Sequence, residues 1–267
     1  MYFMENLIRS FFEKEKIEYY ACAKIDEKYV RIARKLPPFA KYVTVFLVPY
    51  KAYSGKRNVS YYAVPRDYHF YIKQLETRLK KELEENGILE NVALFADNSP
   101  FDERKLAVDM HLGFVGENRL LINEKYGSYV FLAEIVTESP LSLFGENKAS
   151  ASSCLSCGRC KKECPAKSLD GNSSCMSEIT QKKLLSDDEK QLLKSHPLVW
   201  GCDICQQVCP HNTAAAQSPI KFFSEDLLPM ITKEDIENMD DTTFSERAYA
   251  WRGKNVILRN LTLSDIL

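Results

Sequence analysis

No stretch of this sequence reads as a segment that carries a protein into or across a membrane. Its first residues, Met1-Tyr-Phe-Met-Glu-Asn, have no basic stretch followed by an apolar run, so they do not read as a signal peptide. No apolar run approaches the length of a membrane span. There is no basic tail: Lys and Arg total 36 against 37 Asp and Glu, for a net charge of −1. Nucleic-acid contact would therefore need a local basic patch, because global charge supplies none. The first half has no G-x-G-x-x-G after a strand pattern, which leaves a Rossmann dinucleotide site unsupported. It has no H-E-x-x-H metal motif, and the chain has no repeats and no low-complexity segment. The expected compartment is the cytoplasm, where thiols stay reduced.

Cysteine is present and concentrated. Eight of the nine cysteines lie between Cys154 and Cys209. Cys154-Leu-Ser-Cys157-Gly-Arg-Cys160-Lys-Lys-Glu-Cys164-Pro165 is a C-x2-C-x2-C-x3-C-P run, the bacterial ferredoxin pattern for iron–sulfur ligation. Cys175 follows alone, and Cys202-Asp-Ile-Cys205-Gln-Gln-Val-Cys209-Pro210 is a C-x2-C-x3-C-P run. Two [4Fe-4S] cubes need eight thiolates, and in two-cluster ferredoxins the last cysteine of a run ligates the other cluster. On that rule Cys154, Cys157, Cys160 and Cys209 hold the first cluster. Cys164, Cys202 and Cys205 hold the second, with Cys175 at its remaining corner. Zinc ribbons use pairs of C-x2-C rather than a triple with an x3-C-P tail. Disulfides would need an oxidising compartment. Isolated Cys22 reads as a buried free thiol.

The pattern predicts an α+β protein of 267 residues. Residues 4–16 carry Leu7, Ile8, Phe11 and Phe12 at helical spacing. Tyr19 to Lys24, Val43 to Val48 and Val92 to Phe95 read as strands, the second apolar enough to be covered on both faces. Tyr68, Ile72, Leu75, Leu79 and Leu83 stripe a helix over 67–86, with Gly87 as its stop. A further helix runs to about His111. Arg119 to Ile122 and Tyr129 to Val136 are apolar runs joined by what reads as a hairpin loop. Strands and helices alternate, so residues 1–145 are expected to form an α/β domain with a mixed sheet. Residues 146–215 form a ferredoxin-like domain with two clusters. Within it Ser186-Asp-Asp-Glu189 is a capping box for a helix reaching about Lys194. Residues 216–267 form a C-terminal helical segment, with helices over about 232–239 and 254–263. Phe222, Phe223 and Trp251 are expected to pack on the cluster domain.

Two clusters alone would need a much shorter chain, so the first domain must hold whatever takes the electrons. Four stretches carry a resemblance. Tyr61-Tyr-Ala-Val-Pro65-Arg66-Asp67-Tyr68-His69 is similar to a RYALGRDYH segment. Phe95-Ala-Asp97-Asn-Ser-Pro100-Phe-Asp-Glu103-Arg104 is similar to VDSAPxxER. His111-Leu-Gly-Phe-Val-Gly116 is similar to AGLGWxGK, and Tyr129-Val-Phe-Leu132-Ala-Glu134 to FFFLGE. With the 3+1+1+3 cysteine order, Gly201-Cys202-Asp203-Ile-Cys205-Gln206, and Trp251-Arg252 through Arg259-Asn260, the likeness spans nearly the whole chain. The chain resembles the epoxyqueuosine reductases, cobalamin-dependent iron–sulfur enzymes.

The resemblance implies reduction of the epoxide of epoxyqueuosine in tRNA to the alkene. It implies base-off cobalamin between the α/β half and the cluster half. The clusters would reduce the cobalt to the nucleophilic Co(I). An external donor such as flavodoxin or ferredoxin would feed them. It places Ser60, Asp97, Leu121, Leu132 and Ser177 at cobalamin and makes Asp97 the proton donor to the departing oxygen. By spacing alone, Asp97 before Asn-Ser-Pro reads as a turn or cap, Asp67 as a helix cap and His69 as a packing residue. Pro65, Glu117 and Tyr61 depart from the family pattern, each changing helix entry or local charge. Many members continue past the position of Leu267 into a helical-repeat tRNA-binding extension, so weak tRNA binding is expected of this near-neutral sequence unless a patch such as Lys161, Lys162 and Lys167 substitutes. Two other functions fit the same cysteines. One is a reductive-dehalogenase-like reductase of a small molecule. The other is a non-catalytic electron-transfer protein.

Overall fold

A computed structural model describes residues 2–142, 145, 153–171 and 173–264. Most of the Ser- and Asn-containing connection over 137–152 falls outside them. The chain divides into two compact units, residues 1–50 with 69–155 and residues 51–68 with 156–267.

The first unit is built on a four-stranded sheet. Helix α1 (Tyr2–Lys14) precedes β1 (Tyr20–Lys24) and β2 (Tyr42–Pro49); then come α2 (Tyr68–Glu85), β3 (Val92–Ala96) and α3 (Glu103–Asp109). Short β4 (Phe114–Val115) and β5 (Leu121–Ile122) precede β6 (Val130–Thr137). Phe12 on the apolar face of α1 packs its ring against Tyr20 at 4.6 Å and Phe46 at 5.4 Å. Every residue of β2 after Tyr42 is buried, as its unbroken apolar run requires. Gly87, at φ 67°, ends α2 in a Schellman turn: Ile88 N–H donates to Leu83 O and Gly87 N–H to Glu84 O.

Two expectations are corrected here. The sheet order is β1-β2-β6-β3, and each of its three strand pairs is antiparallel, so the sheet is not mixed. The β2-α2-β3 crossover does leave two parallel strands, as the alternation suggested. However, β6 inserts between them in the opposite sense. Likewise Leu121–Ile122 pairs with Phe114–Val115 in a separate two-stranded ribbon rather than with Val130–Thr137. The Asn123–Gly127 turn connects that ribbon to the main sheet.

The second unit holds short helices α4 (Arg159–Lys162) and α5 (Met176–Ile179), then α6 (Asp187–Lys194) and α7 (Ile204–Gln207). Helices α8 (Lys233–Asn238), α9 (Asp241–Ser245) and α10 (Lys254–Leu263) complete it. The capping box at Ser186 and Glu189 is formed, and a second one closes Thr232 and Asp235 at the start of α8. Residues 51–68 thread through this unit. The Asn58 side chain donates to Ile231 O at 2.7 Å and accepts from Ile231 N–H at 2.9 Å. Ser60 N–H donates to Trp200 O, and Val199 N–H to Asn58 O. Val59, Val64, Trp200, Ile231, Tyr249 and Ile257 form the core around them. Buried Asn260 on α10 donates to Thr180 O and Val199 O, tying the last helix to this core. Phe222 and Phe223 are buried, but Trp251 is 61% exposed, with Arg252 stacked on its ring at 3.8 Å. The guanidinium satisfies that ring on the surface, so Trp251 does not join the packing. Among the described residues no helix is long and apolar enough to cross a membrane.

Candidate active site

All nine cysteines are free thiols. The four assigned to the second cluster are electrostatic neighbours in the fold. Burial pushes the Cys205 thiol up to about 12, and Cys202, Cys175 and Cys164 add to that shift. Burial likewise raises Cys202 to about 12, with Cys175 and Cys164 again contributing. Two buried thiols that resist ionising, Cys202 and Cys205, suit a cationic cluster core, which takes them as thiolates. At Cys164 burial also pushes upward, but hydrogen bonding from Ser168 and from the Leu169 and Ala166 backbone outweighs it and lowers the thiol. For the first set, exposed Cys157 and half-buried Cys160 and Cys209 lie in the second unit, while half-buried Cys154 falls just before its start, at the end of the first. Helix α4, carrying Cys160, packs on α7, carrying Cys205. On this arrangement Cys202→Ala lowers bound iron from about eight to about four per chain. Iron analysis after anaerobic reconstitution checks it; unchanged iron would remove Cys202 from the ligand set.

Asp203, between two of those cysteines, anchors the loop. Its carboxylate meets Arg57 at 2.9 Å, the two side chains being 1% and 5% exposed. It also accepts from Tyr61 N–H at 2.9 Å. Burial nevertheless raises Asp203 to about 6, against the pull of Arg57 and the Tyr61 amide. The Arg57 guanidinium lies 3.6 Å from the Tyr61 ring centroid.

Ser60 sits in the same segment. It is fully buried, and its hydroxyl has no hydrogen bond of regular geometry. The Tyr62 phenol is pushed up to about 12 by burial, with Ser60, Ser177 and Trp200 as its moderating neighbours. Tyr62 thus stands beside both serines implicated at cobalamin in this unit, a role that its sequence context did not signal. Gly201 has φ 74°, and a Cβ there would meet the Ser60 hydroxyl at 2.1 Å, so glycine is required by both conformation and space.

The remaining implicated residues belong to the first unit. Leu121 is buried in β5, and Leu132 is half-buried in β6. Asp97 follows β3 directly, exposed and at φ 58°, a left-handed conformation that Asp and Asn tolerate better than most residues. Its N–H donates to the Glu103 carboxylate at 3.1 Å. Glu103 is raised to about 8, by burial first and by Asp97 second. Behind it Glu134 is fully buried, and neither carboxylate oxygen has a hydrogen-bond partner. Burial drives Glu134 well above the ordinary carboxylate range, and Glu103 adds to it. Ser99 lies close enough to oppose that shift, but not in hydrogen-bonding geometry. One signal for Glu134 was present in the sequence: it is the lone charge in the apolar run Val130–Thr137. Asp67 donates its N–H to Glu246 O, and His69 is exposed.

The raised carboxyls set a pH dependence of stability. Between the ordinary glutamate value and about 8 the folded chain keeps a proton on Glu103 that the unfolded chain has released. Stability therefore falls as pH rises through that window. The lowered values of Asp187, Glu189 and Asp240 act oppositely but belong to surface groups. Glu134→Leu is expected to raise the thermal midpoint at pH 8 by at least about 2 °C. A lowered midpoint there would show that Glu134 is paired.

Residues 153–212 match the 4Fe-4S double cluster binding domain. An epoxyqueuosine reductase of Leadbetterella byssophila is 33% identical over 79% of this chain and 72% of its own length. This chain belongs to the epoxyqueuosine reductase family. The epoxyqueuosine reductase of Cyclobacterium marinum is 38% identical over 67% of this chain, and the match covers 61% of that protein. The chain thus spans less than two thirds of the length of some curated relatives. The epoxyqueuosine reductase structure from Streptococcus thermophilus superposes with a TM-score of 0.74 at 24% identity, covering 96% of this chain and 79% of that one. That likeness establishes the shared fold. The double-cluster match gives this chain two [4Fe-4S] clusters. Each unit taken by itself has residues that suit a corrinoid: in the second, the buried Ser60 hydroxyl has no regular hydrogen bond and suits an amide-edged ring, and in the first, half-buried Leu132 suits an apolar face.

Proposed function

We propose that this chain reduces epoxyqueuosine to queuosine in tRNA, acting in the cytoplasm with electrons from an external carrier such as flavodoxin or ferredoxin. The observation that carries this reading is Asp97, an acid presented on an exposed left-handed turn in a chain of this family. Cys154, Cys157, Cys160 and Cys209 would hold one cluster, and Cys164, Cys175, Cys202 and Cys205 the other. Ser60, Ser177, Leu121 and Leu132 would hold cobalamin, which supplies a low-potential nucleophilic metal when bound. Asp97 would then protonate the oxygen as a carbon–oxygen bond breaks. Without that proton the oxygen would leave as an alkoxide, a far poorer leaving group.

The test is turnover of tRNA bearing epoxyqueuosine by the full chain, reconstituted anaerobically with iron, sulfide and cobalamin. Nucleoside mass spectrometry should find queuosine. Intact epoxide after many equivalents of reductant would contradict the reading and favour a small-molecule substrate.

A further inference from the structure

Reducing an epoxide to an alkene breaks two carbon–oxygen bonds and forms one carbon–carbon double bond. The balance is epoxide plus two electrons plus two protons giving alkene plus water. Two electrons come from the clusters and corrinoid of the holoenzyme. Both protons end on the same oxygen, and Asp97 carries only one. A second acid must therefore act, or Asp97 must be reloaded before the water leaves.

The structure supplies a graded row of carboxyls at that place. Asp97 is exposed, Glu103 is half-buried and Glu134 is fully buried. The first two are joined through the Asp97 N–H and Glu103 Oε1, 3.1 Å apart. Glu134 lies opposite Phe95 on β3, two residues before Asp97, and opposite Val45 on β2. Its neighbours one pleat away along β6 are Leu132 and Val136. Among the described residues both carboxylate oxygens of Glu134 lack a hydrogen-bond partner. The charges facing Glu103 are Asp97, Asp102 and Arg104. Arg104 is drawn to Arg119 O, and Arg31 pairs with Asp102 at 2.6 Å, while Lys35 is held at Asn98 O.

We propose that Glu103, backed by Glu134, is the proton store that reloads Asp97 within each turnover, delivering the second proton to the departing oxygen. Glu103 acts through Asp97 and is a positioning and relay residue. The inference rests on the assignment of Asp97 as the acid. Burial keeps Glu134 neutral, so no fixed negative charge sits behind Glu103 to hold its proton back. Glu103 itself, raised to about 8, is protonated at neutral pH and still able to give the proton up.

The experiment has two readouts on the full chain with its clusters. The first is infrared titration of protein labelled at glutamate carboxyls. A carboxylic-acid band that disappears near pH 8 is expected, and Glu103→Gln should abolish it. A second band should persist at higher pH and vanish in Glu134→Gln. The second readout is the pH profile of the cobalamin-loaded enzyme. Glu103→Gln keeps the acceptor for the Asp97 N–H but carries no proton. It is expected to lower kcat by about 10- to 100-fold and to remove the fall in rate near pH 8. No protonated glutamate at pH 7 in the wild type would overturn the proposal. So would wild-type kcat and alkaline limb in Glu103→Gln alongside an inactive Asp97→Asn. An active Asp97→Asn would instead overturn the assignment beneath it.

Discussion

Asp97→Asn is expected to lower turnover by about 10²- to 10⁴-fold while leaving iron and corrinoid content unchanged. Asparagine tolerates a φ of 58° as aspartate does, so the turn after β3 keeps its shape. The N–H that binds Glu103 belongs to the backbone and survives the change. Only the dissociable proton is lost. A structural cap would behave differently: an Asn in that role would be nearly silent. The measurement is kcat for queuosine formation beside metal and corrinoid analysis of the same preparation. A fully active variant would return Asp97 to the role of a turn residue.

Asp203→Ala is expected to cost about 3–5 kcal/mol of stability, because it strands Arg57. That guanidinium is 5% exposed, and Asp203 is its acidic partner at 2.9 Å. Small domains are stable by only about 5–15 kcal/mol, so the loss is a large fraction of the whole. The same change frees the Tyr61 N–H and loosens the loop between Cys202 and Cys205. Denaturant unfolding of the cluster-loaded chain should show the loss, and iron should leave earlier in the transition. Asp203→Asn, which retains an acceptor for Tyr61 and Arg57, should fall between the two. Equal stability of Asp203→Ala and wild type would mean that water enters the pair.

The parts legible in the sequence are those governed by local chemistry. Helix α2 could be placed from the stripe Ile72, Leu75, Leu79 and Leu83 together with Gly87. The capping box at Ser186 and Glu189 marked α6. The cysteine spacings pointed to a double-cluster domain, which the match over residues 153–212 supports. Long-range pairing was not legible. Nothing local in Val130–Thr137 says that it inserts between β2 and β3 and makes the sheet antiparallel. Nor does Lys51–Tyr68 announce that it leaves its chain neighbours for the second unit, where Asn58 and Ser60 bond to Ile231 and Trp200. At the site, the motif pointed to Asp97 as the acid, whereas the raised pKa of Glu103 and of Glu134 follows from their burial, for which the sequence offered only the lone charge of Glu134 in an apolar run. Burial depends on what folds over a residue, and sequence spacing carries little of that information. Trp251 shows the converse: a large aromatic that pattern places inside stays out, stacked under Arg252.

On the proposed function, two iron cubes feed a corrin that opens the epoxide. A single-turnover balance tests it most directly. The full chain, loaded with clusters and cobalamin, is reduced, freed of excess reductant and mixed anaerobically with tRNA bearing epoxyqueuosine. One queuosine should appear for every two electrons lost from the metal centres, and a sample lacking only cobalamin should form none. Queuosine formed equally well without the corrinoid, or clusters that stay reduced while product appears, would contradict the account.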